Sequence, residues 1–407
     1  MKKLLLLFLY AAIGGGLYAQ ISDFPEVDYC MTSPAGFGQN ATGGGNGAVV
    51  TVKTHTELKA ALKASGASVI VVTADITFGE GSMIAETITN KTLLGLKGVK
   101  LISTAQVKNG GILNLKAGSN NVIIRNLIFE GPGAYDVDGQ DLLSNTGCQN
   151  LWVDHCEFYD GVDGNFDNTN SADNVSISWC KFGYNKPPKA GGDGGSNDHR
   201  FSNLIGGSES AAPADGHYSI TFQFCYWSEG CKERMPRARN AELHILNCYY
   251  KVAASGTTAL GLEGGTKGLS CYVEATHFKQ VGTIYKNYDA SNSLPKTLTF
   301  VDCLASKAIP ANIGTAPRPG YAYSVLPAEQ VEPAVTSDRG AGATLNVTTS
   351  GEISSPTSIT QPASEKIVKL VTYYDLLGRP VKATVKGFVI VKTVYTDGTS
   401  STRKVYL

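Results

Sequence analysis

The feature that most constrains the fold is an internal repeat of strand-like segments. Seven segments align without gaps, and each tends to alternate apolar and polar residues before a cysteine or its equivalent at the seventh position. The segments begin at Asn121, Asn150, Asn174, Ser219, Glu242, Cys271 and Thr297. Their seventh positions are Leu127, Cys156, Cys180, Cys225, Cys248, His277 and Cys303. Alternation with a period of two indicates strands, and no helical pattern separates them.

The spacing of this repeat predicts an all-β fold, a right-handed parallel β-helix. The seventh positions follow one another at 29, 24, 45, 23, 29 and 26 residues, and the long step contains a glycine-rich insertion at residues 190–196. Strand-bearing repeats of this length stack as successive coils, with neighbouring strands about 4.8 Å apart. Equivalent positions then point the same way, so we expect the cysteines to form an interior ladder.

The pairing of the cysteines stays open at this stage. The chain has nine cysteines, so at least one of them is unpaired. Aligned side chains in adjacent parallel strands generally lack the Cβ geometry that a disulfide needs, and free cysteine packs as a small apolar residue. We therefore expect packing within the ladder. Pairing of Cys225 with Cys231, or of Cys30 with a neighbour, remains an alternative.

The N-terminus has the pattern of a secretory signal peptide. Residues 1–19 run from two lysines through a short apolar stretch to small residues, with a cleavage position after Ala19. The apolar stretch is too short to span a bilayer, and no later stretch resembles a membrane span. We therefore expect an exported protein, either secreted or held at the cell surface.

Three further regions follow the signal peptide. We predict a β-helix domain at residues 20–344, a Ser/Thr/Pro-rich linker at 345–364, and a small β-sandwich-like module at 365–407. Apolar residues at helical spacing from Glu57 predict a helix that caps the N-terminal end of the β-helix. The last module resembles the C-terminal sorting domains of type IX secretion in its Tyr374-Asp-Leu-Leu-Gly-Arg-Pro run. That resemblance implies the secretion machinery as a partner.

The chain has no net charge, but some of its charged residues form local clusters. Lys+Arg and Asp+Glu both number 35, which argues against a nucleic-acid partner. Arg234, Arg237 and Arg239 nevertheless form a cluster between two strand-like segments, and guanidinium groups fit carboxylates. The acidic residues upstream are Asp141, Asp163 and Asp167. The two clusters together predict a polyanionic substrate that is held partly by arginine and partly through a bridging metal ion.

An ordered set of motifs between residues 24 and 343 resembles the pectate lyases of polysaccharide lyase family 1. The motifs are Gly36-Phe-Gly with Thr42-Gly-Gly-Gly, Asn121-Val-Ile-Ile-Arg-Asn-Leu, Trp152-Val-Asp-His, Asp163-Gly-x-x-Asp167, Leu204-Ile-Gly, Arg234-x-Pro-x-x-Arg239 and Tyr321-Ala-Tyr. Each motif alone is weak. Their order and spacing together make the resemblance specific.

The resemblance implies a calcium-dependent lyase that cleaves α-1,4-linked polygalacturonate by β-elimination. It implies Ca²⁺ ligands at Asp141, Asp163 and Asp167. It also implies that Arg234 is the base that removes the C5 proton and that Arg239 grips the substrate carboxylate. Negative charge builds up on that carboxylate during proton removal, so the step needs strong cationic stabilisation. A turn at Gly164 would bring the carboxylates close enough to share one Ca²⁺.

One position departs from the family pattern. The family commonly places a substrate-binding lysine just before the Leu-Ile-Gly segment, and this chain has Phe201 there. We expect the adjacent Arg200 to supply the missing cation, and we assign Arg237 a structural or peripheral role. The substitution leaves the substrate subclass open.

Other interpretations remain. A pectin lyase acting on methyl-esterified substrate would not need the three aspartates, and a polygalacturonase would need an acidic cluster without an arginine base. A non-catalytic β-helix that binds glycans is the alternative from a different class. For the lyase we expect a monomer.

Overall fold

The computed structural model describes residues 27–356, 368–382, 384–395 and 400–406. The predicted signal peptide at residues 1–19 lies outside this part of the chain. The chain divides into two compact units, Met1–Pro356 and Thr357–Leu407. The predicted linker at 345–364 straddles this division, and its residues 357–364 are not among those described.

Three long sheets of parallel strands build the first unit. The ten strands of sheet 1 are Ala48–Val52, Ser68–Val72, Thr89–Gly95, Asn120–Arg125, Gln149–Asp154, Asp173–Ser178, Tyr218–Gln223, Ala241–Leu246, Leu269–Glu274 and Lys296–Val301. The eight strands of sheet 2 are Ile84–Glu86, Leu113–Leu115, Leu143–Asn145, Phe166–Asn168, Leu204–Ile205, Arg237–Arg239, Thr258–Glu263 and Thr283–Asn287. The nine strands of sheet 3 are Ile76–Phe78, Lys100–Ser103, Ile128–Glu130, Glu157–Tyr159, Lys181–Gly183, Tyr226–Trp227, Tyr249–Lys251, His277–Gln280 and Leu304–Ala305.

The order of strands within each of these sheets follows the order of the chain. Each full coil therefore contributes one strand to every sheet, and the next coil stacks on it in parallel register. This arrangement is the predicted right-handed parallel β-helix. The core is the interior of the helix, filled by aliphatic side chains and by aromatic stacks such as Phe129, Phe158 and Phe182.

A helix covers the N-terminal end of the coils, as predicted. Helix α1 (His55–Lys63) begins after Thr54, whose hydroxyl accepts a hydrogen bond from the Glu57 amide. Its Leu58 and Leu62 are buried against the first strands. Helix α2 (Ala328–Val335) packs against sheet 3. None of the helices described is long and apolar enough to cross a membrane.

The cysteine ladder is confirmed, with one correction. All nine cysteines are free, and all but Cys30 and Cys303 are fully buried. His277 is wrong as a ladder position, because it pairs with Tyr249 rather than with Cys248. Thr276 lies level with Cys248 instead, and its hydroxyl accepts a hydrogen bond from the Cys248 amide.

The misalignment arises at the corner between sheets 1 and 3. There the residue before the ladder position adopts a left-handed conformation, with φ of 59° at Asn126 and 50° at Asn247. The same conformation recurs with other residue types, with φ of 47° at His155, 50° at Trp179 and 53° at Phe224, so the corner residue carries no common sequence signal. In the sixth segment the ladder position holds Thr276 instead of a cysteine, and the alignment on His277 is therefore shifted by one residue.

The second unit contains one four-stranded antiparallel sheet in its described residues. Its strands are Val368–Tyr374, Pro380–Val381, Phe388–Tyr395 and Ser400–Tyr406. A carboxylate closes the turn after the first strand, because Asp375 accepts hydrogen bonds from the amides of Leu377 and Arg379. A separate short hairpin of Asn346–Val347 and Ile353–Ser354 belongs to the first unit.

Because every cysteine is free, we expect all nine thiols to react with a thiol reagent in guanidinium without added reductant. We also expect dithiothreitol to shift Tm by less than about 1 °C. A structural disulfide contributes about 2–4 kcal/mol, so reducing one would lower Tm by several degrees. Fewer than nine reactive thiols in freshly purified protein would contradict the free-thiol ladder.

Candidate active site

A cleft of about 930 Å³ lies along the outer face of sheet 2. The strands of this sheet place Ser144, Asp167, Leu204, Arg237 and Gly261 level with one another in successive coils. The charged residues that line the cleft are Lys108, Asp136, Asp138, Asp163, Asp193, His199, Arg234, Arg237 and Arg239. Acidic and basic groups therefore face the same space, and Asp163 is the one member of the predicted acidic cluster that lines it.

Two of the predicted metal ligands form a buried acidic pair. A Cβ atom built on Gly164 would lie 2.7 Å from Asp141 Oδ1 and 3.0 Å from Asp167 Oδ1, so the two carboxylates flank this glycine closely. Asp141 Oδ2 accepts a hydrogen bond from the Ser144 hydroxyl at 2.8 Å. Its Oδ1 is buried without a partner among the described residues. The lack of a side chain at Gly164 thus leaves room for the carboxylates of Asp141 and Asp167, whereas the predicted approach of Asp163 to Asp167 stays a prediction.

The electrostatics of this pair are unfavourable without a cation. Burial, followed by the charges of Asp167 and Asp163, raises the pKa of Asp141 well above its ordinary value. Burial also raises the pKa of Asp167 to about 7, although the nearby Arg234 guanidinium opposes the rise. Like charges held this close in a buried site favour either protonation or a bound cation.

Asp163 lies next to two residues that sequence reasoning missed. His199 is buried, with Nε2 2.9 Å from Asp163 Oδ1 and Nδ1 3.2 Å from Asp136 Oδ1. One ligand atom from each of these three residues lies within 4.8 Å of the others. Asp136 and His199 belong to none of the motifs on which the family resemblance rests. The sequence signal near them is the glycine-rich insertion just before His199.

The predicted base, Arg234, sits beside the acidic pair. It adopts a left-handed backbone conformation with φ of 58°. Its guanidinium carbon lies 4.9 Å from the ring centroid of Phe201, a cation–π contact. Its Nε is buried without a hydrogen-bond partner among the described residues. Phe201 therefore supports Arg234 at the position where the family commonly has a lysine.

The other two arginines of the cluster share a buried glutamate. Arg239 donates from Nε to Glu263 Oε2 at 2.7 Å and from Nη1 to the Gly206 carbonyl at 2.8 Å. Arg237 lies 3.7 Å from the same Glu263 oxygen and stacks on Tyr288. Burial, then the charges of Arg239 and Arg234, lower the pKa of Arg237. All three arginines thus line the cleft, and the structural or peripheral role of Arg237 stays a prediction.

Arg200 is placed differently from the other predicted residues. Its Nε and Nη2 donate to the two carboxylate oxygens of Asp198 at 2.6 and 2.7 Å, a bidentate pair. It is not among the residues that line the cleft. Its predicted role in substrate binding therefore stays a prediction.

The fold and the charged cleft together form an exposed groove on a β-helix, suited to a polyanion. Similarity to known proteins identifies the family. A family model described as pectate lyase matches residues 28–344, so the chain belongs to the pectate lyase family. A pectate trisaccharide-lyase from a Thermotoga species is 31% identical over 272 residues, which is 65% of each chain. A pectate trisaccharide-lyase from Bacillus licheniformis is 28% identical over 373 residues, covering 84% of this chain and 99% of the relative.

Among solved structures, pectate lyase II from Xanthomonas campestris superposes with a TM-score of 0.55 and 20% identity. The match covers 76% of this chain and 99% of that structure. At this identity the likeness supports the β-helix fold alone.

Replacing one acid of the buried pair should stabilise the metal-free protein. The raised pKa of Asp141 means that the folded state binds a proton more tightly than the unfolded chain does, so stability falls as pH rises above the ordinary carboxyl range. Asp141→Asn removes this loss, and at pH 8 with chelator we expect a gain of about 1–3 kcal/mol by urea unfolding. The exposed Asp338→Asn is the matched control. A destabilised Asp141→Asn protein would contradict the unfavourable pair.

Proposed function

We propose that this chain is an exported, calcium-dependent pectate lyase that cleaves polygalacturonate by β-elimination. The observation that carries the proposal is the buried pair of Asp141 and Asp167, which interacts electrostatically with Asp163 and Arg234 of an open cleft that three arginines line. A polygalacturonate chain presents a carboxylate on every sugar, which such a mixed site can bind. The relatives named pectate trisaccharide-lyases support the same substrate class.

The acidic residues fit a Ca²⁺ ion. We assign Asp141, Asp163 and Asp167 as its ligands, because calcium takes carboxylate oxygens at about 2.3–2.6 Å in flexible geometry. The unpartnered Asp141 Oδ1 supports this assignment, since a buried carboxylate oxygen is costly to leave without a donor or a cation. When bound, the ion would supply positive charge at the substrate carboxylate and acidify the adjacent C5 proton.

Arg234 is the residue we assign as the base. It is aligned by its packing on Phe201, and its Nε has no other partner among the described residues. A guanidinium must lose a proton before it can accept one, and neighbouring cations favour that loss.

The elimination step can be written with these groups in place. The base takes the C5 proton, the C5–H electron pair becomes the C4–C5 double bond, and the C4–O bond breaks toward the leaving sugar. The leaving oxygen then takes a proton from water. The negative charge that passes through the C5 carboxylate is stabilised by cations held in fixed positions, which lowers the barrier without reorganisation.

Arg239 is the residue we assign to hold the substrate carboxylate. Its bonds to Glu263 and to the Gly206 carbonyl use two of the five N–H groups of a guanidinium and fix its orientation. We propose Arg200 as an additional cation for substrate, with a smaller contribution because Asp198 already neutralises much of its charge.

Export is part of the proposal. The predicted signal peptide and the C-terminal unit that resembles a sorting domain support a secreted or surface-held monomer, with the secretion machinery as a partner of that unit. A pectin lyase is the second candidate. The buried acidic pair argues against it, because a site for neutral, esterified sugars has no need of three carboxylates.

The test is the ultraviolet absorbance of unsaturated product released from polygalacturonate. We expect absorbance to grow with added Ca²⁺ and to stop on addition of chelator. Arg234→Lys should lower kcat by at least about 100-fold, because a lysine ammonium cannot reproduce the planar guanidinium on Phe201. The control is Arg318→Lys, whose side chain is 60% exposed and lies outside the cleft.

Three results would contradict parts of this proposal. Absorbance that is unaffected by chelator, and stronger on methyl-esterified pectin, would favour a pectin lyase. Unchanged kcat in Arg234→Lys would remove the assigned base. Binding of polygalacturonate without any product would favour a non-catalytic glycan-binding protein. The lengths of the products would show whether trisaccharides accumulate.

A further inference from the structure

His199 has no role in the proposed reaction, although it is buried at the edge of the cleft. The residue is 5% exposed, and neither ring nitrogen has a hydrogen-bond partner among the described residues. Its nitrogens nevertheless lie only 2.9 Å and 3.2 Å from carboxylate oxygens of Asp163 and Asp136. The contacts are therefore short, yet they do not have the alignment of hydrogen bonds.

Short contacts without hydrogen-bond alignment are typical of two ligand atoms that face a common metal ion. Adjacent ligands of an octahedral ion, each about 2.1 Å from the metal, lie about 3 Å from one another. The separation between His199 Nε2 and Asp163 Oδ1 matches this value. Asp136 contacts the other ring nitrogen, Nδ1, and it belongs to the set because one ligand atom from each of the three residues lies within 4.8 Å of the others.

The glycine-rich insertion at residues 190–196 holds Asp136 in place. The Gly194 amide donates to the Asp136 carbonyl at 2.9 Å, and the Ser196 amide donates to Asp136 Oδ2 at 2.6 Å. A Cβ on Gly192 would lie 1.9 Å from the Asp136 carbonyl oxygen, and one on Gly194 would lie 2.0 Å from Asp136 Oδ1. Glycine is therefore required at both positions for the loop to approach so closely. Hydrogen bonds that orient a carboxylate in this way commonly surround metal ligands.

We propose that Asp136, Asp163 and His199 form a second metal position, which binds a divalent first-row transition metal ion through the imidazole. Calcium prefers oxygen ligands, whereas an imidazole nitrogen suits ions such as Ni²⁺, Cu²⁺ or Zn²⁺. The position shares Asp163 with the calcium ligands assigned above, and only this shared ligand rests on the proposed function. The insertion that lengthens one coil is then the segment that builds the second position.

Calorimetric titration with Ni²⁺ tests the proposal on the full chain, with Ca²⁺ titrated in parallel. We expect His199→Gln and Asp136→Asn each to weaken Ni²⁺ binding by at least about 10-fold. Gly194→Ala should weaken it as well, because the added methyl displaces the Asp136 carboxylate. His217→Gln, at a partly exposed histidine that does not line the cleft, is the matched control and should bind Ni²⁺ as the wild type does.

The variants separate the two metal positions. Asp141→Asn should abolish Ca²⁺ binding but weaken Ni²⁺ binding less than His199→Gln does, since Asp141 affects the second set only through its charge. Ni²⁺ affinity that is unchanged in both His199→Gln and Asp136→Asn would overturn the second position, whether or not the lyase is active. Histidine-dependent Ni²⁺ binding in a protein without lyase activity would overturn the proposed function alone. If His199→Gln fails to fold by circular dichroism, Asp136→Asn and Gly194→Ala decide the result.

Discussion

The parallel stacking of coils is the constraint on which the rest of the structure depends. Because each strand pairs in register with its equivalents above and below, one position in the repeat becomes one line of side chains. Inside, such a line is the cysteine ladder, which needs no cross-link because each small thiol is covered by the next coil. Outside, on sheet 2, another line carries Asp167, Leu204 and Arg237. The stacking of the coils, which aligns the side chains of the core, thus also sets the spacing of the charged groups outside.

The spacing of the coils brings side chains of like charge close together, whereas such charges are normally further apart on a protein surface. The acidic pair and the arginine cluster each raise the electrostatic energy of the folded state, and the shifted pKa values of Asp141 and Arg237 are the signs of this. The many apolar contacts and backbone hydrogen bonds of the coils can offset this unfavourable electrostatic energy. A functional groove that is electrostatically unfavourable when empty is suited to a ligand that carries both charge signs, such as a polyanion with its counter-cation.

The sequence predicted the elements that repeat, and helix α1 from its apolar spacing, but it missed the contacts that a single loop makes. Period-two alternation and the recurring cysteine at the seventh position are signals that accumulate over many coils, so the β-helix and its ladder could be inferred. Thr276 takes the place of the cysteine in one coil, and the alignment slipped by one residue there. Asp136 and His199 come together only because a unique loop folds back over Asp136. Nothing in their spacing of 63 residues indicates proximity, since that contact is a property of the loop conformation.

The arrangement also links the metal to the proposed base. Without a metal ion, Arg234 is the main cation that opposes the rise in the pKa of Asp167. The same guanidinium lines the cleft, so its charge acts both on the acidic pair and on the space open to substrate. A divalent cation held by the same carboxylates would neutralise them more fully and would leave the guanidinium to interact with substrate. In the proposed function, the acids beside Arg234 would therefore do more than hold an ion, because a bound cation would change how strongly the arginine interacts with them.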